Sequence, residues 1–126
     1  MRLVLDSSVF FAQATLEREL FEGELVTTPS VVSELRDISS KARFDLLSER
    51  GLRVMDPDPE CVRHVKTIAV AIGEGTALST TDCEVLALAL QCEAAIISDD
   101  YALQNVGTSL HLRILPLHQK RGRNIR

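Results

Sequence analysis

Leu78–Val106 reads LSTTDCEVLALALQCEAAIISDDYALQNV. Ser79 and Asp82 form an S-x-x-D pattern ahead of an apolar run, the mark of a helix start. The spacing predicts a helix over Thr80–Gln91, a short buried strand over Ala95–Ile97 and a second helix over Tyr101–Val106. Asp82 falls in the first turn of the first helix. Asp99 and Asp100 stand directly after the strand. In an open parallel α/β sheet, ligands bind just beyond the C-terminal ends of the strands. Carboxylates gathered there are well placed to hold a hard divalent cation such as Mg2+.

The same alternation extends outward in both directions. Strands are expected at Leu3–Leu5, Leu25–Thr27, Arg53–Met55 and Arg113–Leu115, most of them short apolar runs as suits strands covered on both faces. Helices are expected at Ser8–Ala14, Pro29–Leu35, Ser40–Arg50 and Glu60–Ile72. Pro29 suits a first helical turn, where its missing N–H is not needed. Gly51 reads as a helix C-cap. Pro57 and Pro59 punctuate a loop, and the two glycines in Gly73–Leu78 mark another. Strands alternating with helices predict a three-layer α/β/α sandwich around a mostly parallel five-stranded sheet. The expected organisation is one domain over 1–117 and a basic tail over 118–126.

Two more acids fall at matching places. Asp6 ends the strand RLVLD, and Glu34 lies in the helix of ELVTTPSVVSEL. Each acid also has a structural reading. Asp6, Asp99 and Asp100 are good helix caps. Asp82 fits a capping box with Ser79. Glu34 fits a solvated helix face. Together they make a stronger case, because uncompensated carboxylates in one cleft repel each other. These segments are poor in Lys and Arg, and a bound cation resolves that charge. Carboxylate-held Mg2+ or Mn2+ suits phosphoryl chemistry.

Composition narrows the classes. The 126 residues suit one domain with a core, and 45% of them are hydrophobic. No apolar run is long enough for a membrane span, so no membrane partner is expected. The N-terminus lacks the pattern of a signal peptide, so a cytoplasmic location is expected. Cys61, Cys83 and Cys92 include no C-x-x-C pair, which disfavours a disulfide framework or a structural zinc site. Cys61 and His64 lie one helical turn apart but have no second pair, and they read as helix surface. No phosphate-binding glycine loop and no G-x-S-x-G elbow occurs. One Tyr, four Phe and no Trp argue against a broad base-stacking platform. Net charge is −4, yet Lys120, Arg121, Arg123 and Arg126 make the terminus basic. That tail suits contact with nucleic-acid phosphates or a solvated terminus equally.

At these residues the chain resembles the PIN-domain ribonucleases, over nearly all of its length. The family pattern is an Asp ending strand one, an acid in the helix after strand two, an Asp opening a later helix, and an Asp after strand four. Asp6, Glu34, Asp82 and Asp100 match it. The resemblance therefore implies catalysis by these four, with one or two Mg2+ or Mn2+ ions. Ser98-Asp99-Asp100 stands where the family has Thr-x-Asp, which makes Asp99 an accessory ligand candidate. Ser7 and Ser98 match small hydroxyl positions as accessory residues.

Within the family, TTPSVVSELRD, GEGTALSTTDCEVLALAL and DDYALQNV are most similar to the endonucleases that mature the 3′ end of small-subunit ribosomal RNA. Gln104-Asn105-Val106 is the most specific part. The implied substrate is precursor small-subunit rRNA. A homodimer or a ribosome-assembly partner also fits this implication. That branch usually carries a C-terminal zinc ribbon of two cysteine pairs, which this sequence lacks. Two other readings stand beside it. One is a toxin-type nuclease with an antitoxin partner. The other is a PIN-like RNA-binding module without turnover.

Overall fold

The computed structural model describes residues 2–11 and 23–117. Five parallel strands form one sheet: β1 (Arg2–Leu5), β2 (Glu24–Thr27), β3 (Arg53–Val54), β4 (Ala95–Ile97) and β5 (Ile114–Leu115). Their order across the sheet is β3-β2-β1-β4-β5. The helices are α1 (Ser7–Phe11), α2 (Pro29–Glu34), α3 (Ile38–Glu49), α4 (Pro59–Ala71), α5 (Thr80–Cys92) and α6 (Tyr101–Ser109). The expected α/β sandwich is the fold observed, and every described pairing is parallel.

Burial explains why these short runs become strands. Leu3, Val4 and Leu5 on β1 are fully buried, as are Val26 on β2 and Ile96 on β4. A central parallel strand has helices on both faces, so it needs apolar residues in succession rather than in alternation. The helices α4, α5 and α6 pack on one another, and α1 packs against α2 and α3. Helix α5 buries Val85, Leu86, Ala87, Leu88 and Ala89 in unbroken succession. A helix apolar all round belongs in the middle of a fold, and α5 lies against β1 and β4.

The connections follow from local chemistry. Thr28 caps α2 by accepting the Val31 N–H at 3.2 Å, with Pro29 in the first turn. Gly51 has φ +108° after α3, and the Leu52 N–H bonds back to the Leu47 carbonyl at 3.0 Å. This is a Schellman closure, in which glycine relieves the left-handed backbone. Helix α6 runs three residues past the expected Val106 end. Gly107 does not break it, because the glycine sits where a Cβ would come within 2.6 Å of Ile114 on β5. Its role there is close helix–strand approach.

The topology decides where a site forms. The chain runs from β1 outward to β3, then returns to place β4 on the other side of β1. The order therefore reverses between β1 and β4, and a crevice opens beyond the C-terminal ends of such a pair. Asp6 leaves β1 at that point, and Ser98-Asp99-Asp100 leaves β4 beside it. At the opposite end of the strands the charges are balanced. Glu24 pairs with Arg2 at 2.8 Å and with Arg53 at 3.4 Å.

Candidate active site

Asp6 is the centre of the crevice. It is 2% exposed, yet it is an acid. Its backbone N–H continues the sheet to the Ile97 carbonyl at 3.3 Å, which fixes where the side chain starts. Its Oδ2 accepts the Ser98 hydroxyl at 2.7 Å and the Ser8 hydroxyl at 3.3 Å. Its Oδ1 is buried and has no hydrogen-bond partner. An orphaned buried oxygen costs free energy, and a cation held there would offset that cost. Burial pushes the Asp6 carboxyl above the usual range, and the nearby Asp100 charge adds to that.

Asp82 and Asp100 complete the acidic wall. Both local structural readings hold. Ser79 and Asp82 form a reciprocal capping box on α5, with the Asp82 N–H on Ser79 Oγ at 3.0 Å and the Ser79 N–H on Asp82 Oδ2 at 3.2 Å. Asp100 is the N-cap of α6, and its Oδ1 accepts the Leu103 N–H at 2.9 Å. These roles do not exhaust the two carboxylates. Each commits one oxygen to a helix end, and the described hydrogen bonds leave its second oxygen unused. Both side chains line a cleft of about 450 Å3 together with Asp6, Ser7, Ser8, Phe11 and Asp99. Desolvation raises the Asp82 carboxyl to about 6, helped by the charges of Asp100 and Asp6.

The accessory residues divide. Ser98 is fully buried and holds the site together: its hydroxyl donates to Asp6 and accepts the Asp100 N–H at 3.0 Å. Asp99 lines the cleft, but its Oδ1 accepts the Leu117 N–H at 3.0 Å and so anchors the chain after β5. Ser7 lines the cleft. Ser8 was not singled out in the sequence, although its hydroxyl reaches both Asp6 and the Asp99 N–H. The D-S-S string was its one available signal.

Glu34 is the exception. It is the exposed last residue of α2, which ends where Leu35 turns extended, and it is not among the residues lining the cleft. The shared cleft therefore gathers three of the four expected acids. Lys120, Arg121, Arg123 and Arg126 lie outside the described residues, as does the whole 118–126 tail. Cys61, Cys83 and Cys92 are free thiols.

The donor set suits a hard cation: carboxylate oxygens, one of them buried and unpartnered. The ion pairs Arg2–Glu24, Arg53–Glu24 and Arg63–Glu60 all lie away from the cleft. Among the described residues, no three acidic, imidazole or thiol groups are drawn together tightly enough to ligate one ion as they stand.

The sequence matches the family described as "PIN domain of ribonuclease" over residues 3–92. The chain belongs to the PIN-domain ribonucleases. That membership makes it an RNA-cleaving enzyme by class. "Endoribonuclease Nob1" of Pyrococcus abyssi is 42% identical over 97% of this chain and 71% of its own length. "Ribonuclease VapC1" of Thermoplasma acidophilum is 37% identical over 96% of this chain and 60% of its own. "20S-pre-rRNA D-site endonuclease nob1" of Schizosaccharomyces pombe is 31% identical over 90% of this chain but 29% of its own length. The PIN fold itself is matched by the structure of VapBC-1 from nontypeable Haemophilus influenzae. That match has a TM-score of 0.65 at 17% identity and covers 92% of this chain and 98% of that one.

The raised carboxyls of this PIN domain predict a pH effect. A folded Asp82 that protonates at about 6, against an ordinary 3.8, holds its proton where the unfolded chain has lost it. Its contribution to stability is complete below the ordinary value and is lost as pH rises through about 6. In chelator, the melting temperature of wild type relative to Asp82→Asn should therefore fall between pH 4 and pH 7. A divalent ion binds the ionised form and should reverse that fall at the upper end. A flat difference in chelator would mean that Asp82 is not desolvated.

Proposed function

We propose that this chain is a divalent-metal-dependent endoribonuclease with precursor small-subunit ribosomal RNA as its substrate. The observation that carries the chemistry is the buried Asp6 oxygen without a partner, in one cleft with Asp82 and Asp100. These three would hold one or two Mg2+ or Mn2+ ions. Glu34 enters the set only by its match to the family pattern. When bound, the ion would supply an activated water and offset charge growing on the scissile phosphate.

The protein's own part is geometry and field. Ser98 locks Asp6 and the Asp100 backbone into one frame, so two strands present their acids at a fixed spacing. Rigid placement of this kind lowers the reorganisation that a reaction would otherwise require. Without a cation, the four carboxylates of the cleft, Asp6, Asp82, Asp99 and Asp100, repel an RNA phosphate. Cleavage should accordingly depend steeply on metal concentration.

The rRNA reading is supported by the two Nob1 relatives, one of which is named for a 20S pre-rRNA site. It is also supported by the GEGTALSTTD and DDYALQNV blocks. The VapC1 relative, similar over nearly the whole chain, favours a second reading: a toxin nuclease restrained by an antitoxin. Incubating the protein with Mn2+ and either a precursor rRNA fragment spanning the small-subunit 3′ end or unrelated RNAs tests both. One defined cut in the rRNA fragment supports the first reading. Preferential cleavage of the other RNAs supports the second, and no cleavage of any RNA overturns both.

Lys120, Arg121, Arg123 and Arg126 are proposed to contact RNA phosphates without reading sequence. Each lost contact to a single strand should reduce the slope of log affinity against log salt by about 0.7. Removing residues 120–126 should thus flatten the salt dependence and weaken binding to unrelated RNAs alike. A salt titration with the same slope for both proteins would assign the tail no contact.

A further inference from the structure

Asp82 opens α5 and Asp100 caps α6, with β4 between them in the chain. Two consecutive residues of α6 tie down the segments that carry these acids. The Gln104 side-chain amide donates to the Ser98 carbonyl at 2.9 Å. The Asn105 amide donates to Glu74 Oε2 at 2.8 Å. The first bond holds the loop that carries Asp99 and Asp100 against its own helix. The second joins α6 to the loop before α5.

Glu74 is well built to pass that link on. Its N–H bonds to the Ala69 carbonyl at 2.8 Å, closing the end of α4 around Gly73 at φ +83°. Its carbonyl accepts the N–H groups of both Ala77 and Leu78 at 3.1 Å. Leu78 is buried and directly precedes Ser79, the cap that shares reciprocal bonds with Asp82. Glu74 thus fixes one end of a short loop whose other end is the first turn of α5. Asn105, on the helix capped by Asp100, grips the same residue.

We infer that Glu74 and Asn105 form a positioning clasp that sets the place of Asp82 relative to Asp100. Neither residue lines the acidic cleft, and neither touches the reacting groups. The inference rests on the proposed metal-binding role of those two aspartates. It also gives a physical task to Gln104-Asn105, the most specific part of the sequence resemblance. Residues that orient metal ligands commonly contribute tenfold to a hundredfold to metal affinity.

The test uses the full chain and the variants Asn105→Ala, Glu74→Ala, the two combined, and Glu74→Gln. Mn2+ binding is read from the free-ion paramagnetic resonance signal, without RNA. Each alanine variant should bind Mn2+ about tenfold more weakly. The double variant should lose no more than either single one, because both remove the same bond. Glu74→Gln keeps an acceptor for Asn105 and should bind as wild type does. Unchanged affinity in the alanine variants, or losses that add in the double variant, would overturn the clasp. Amide exchange in metal-free protein gives a separate reading if wild type binds no Mn2+, the outcome that defeats the metal role itself. The Leu78 and Cys83 amides should then exchange faster in Asn105→Ala while the Ile96 amide on β4 keeps its protection. Unaltered Leu78 and Cys83 exchange rejects the clasp on its own terms.

Discussion

Asp100→Asn is expected to cut Mn2+-dependent RNA cleavage by about a hundredfold or more while the fold stays intact. A metal's charge stabilisation is worth several kcal/mol in a phosphoryl transition state, and each ~1.4 kcal/mol is tenfold in rate. The substitution removes ligand charge but nearly preserves shape. The Asn carbonyl can still accept the Leu103 N–H, and Asn is itself a good N-cap. Asp99→Asn makes the contrast. Its Oδ1 serves the Leu117 N–H, which Asn also satisfies, so its loss should stay within about tenfold. Matched cleavage assays and thermal melts decide the matter. Equal losses at both positions would spread the ligand role over the pair.

Asp6→Asn should separate activity from stability more sharply still. Cleavage should fall by at least as much as for Asp100→Asn, since Asp6 is the most buried acid of the three. The metal-free protein should become more stable. Wild type buries a carboxylate with one oxygen unpartnered and a like charge nearby. Asn removes that charge, keeps an acceptor for Ser98, and presents an amide to the remaining acids. A gain on the order of 1 kcal/mol would raise the melting temperature by about 3 °C in a domain of this size. The sign should invert in saturating Mn2+, where only wild type gains from the ion. A destabilised Asp6→Asn in chelator would show that the buried charge is already compensated.

The three central strands were legible because they obey one rule. RLVL, ELVT and AII are largely apolar runs too short for helices, and a helix-forming segment follows each, whereas the edge strand Arg53–Val54 is exposed. The helix starts were equally plain at Thr28-Pro29 and Ser79–Asp82, where the capping chemistry is local. The site was legible in part. Asp6 and Asp100 follow strands directly, so their places are fixed by topology alone. Glu34 is set by the rotation and end of a short helix, which neither spacing nor burial pattern fixes, and it came out exposed. The links from Ser8 to Asp99 and from Asn105 to Glu74 were not read because the partners lie 91 and 31 residues away. Such contacts have no local signature. The expected end of α6 at Val106 fell three residues short, and the packing of Gly107 against Ile114 beyond it is likewise tertiary.

The bond between Ser98 and Asp6 joins residues 92 apart. Strand β1 leaves a ribosome before β2, and β2 well before β4. The partner for its other edge is β4, which emerges only after β2, β3 and the helices between them. Until then β1 presents an apolar edge with nothing to pair, a template for aggregation unless something shields it. Pairings of such long range also fold slowly. The same delay leaves the cleft incomplete. Asp6 meets neither Asp100 nor Ser98 until β4 has docked, so a nascent chain short of β4 carries Asp6 and Asp82 without the Ser98–Asp6 bond that frames the cleft.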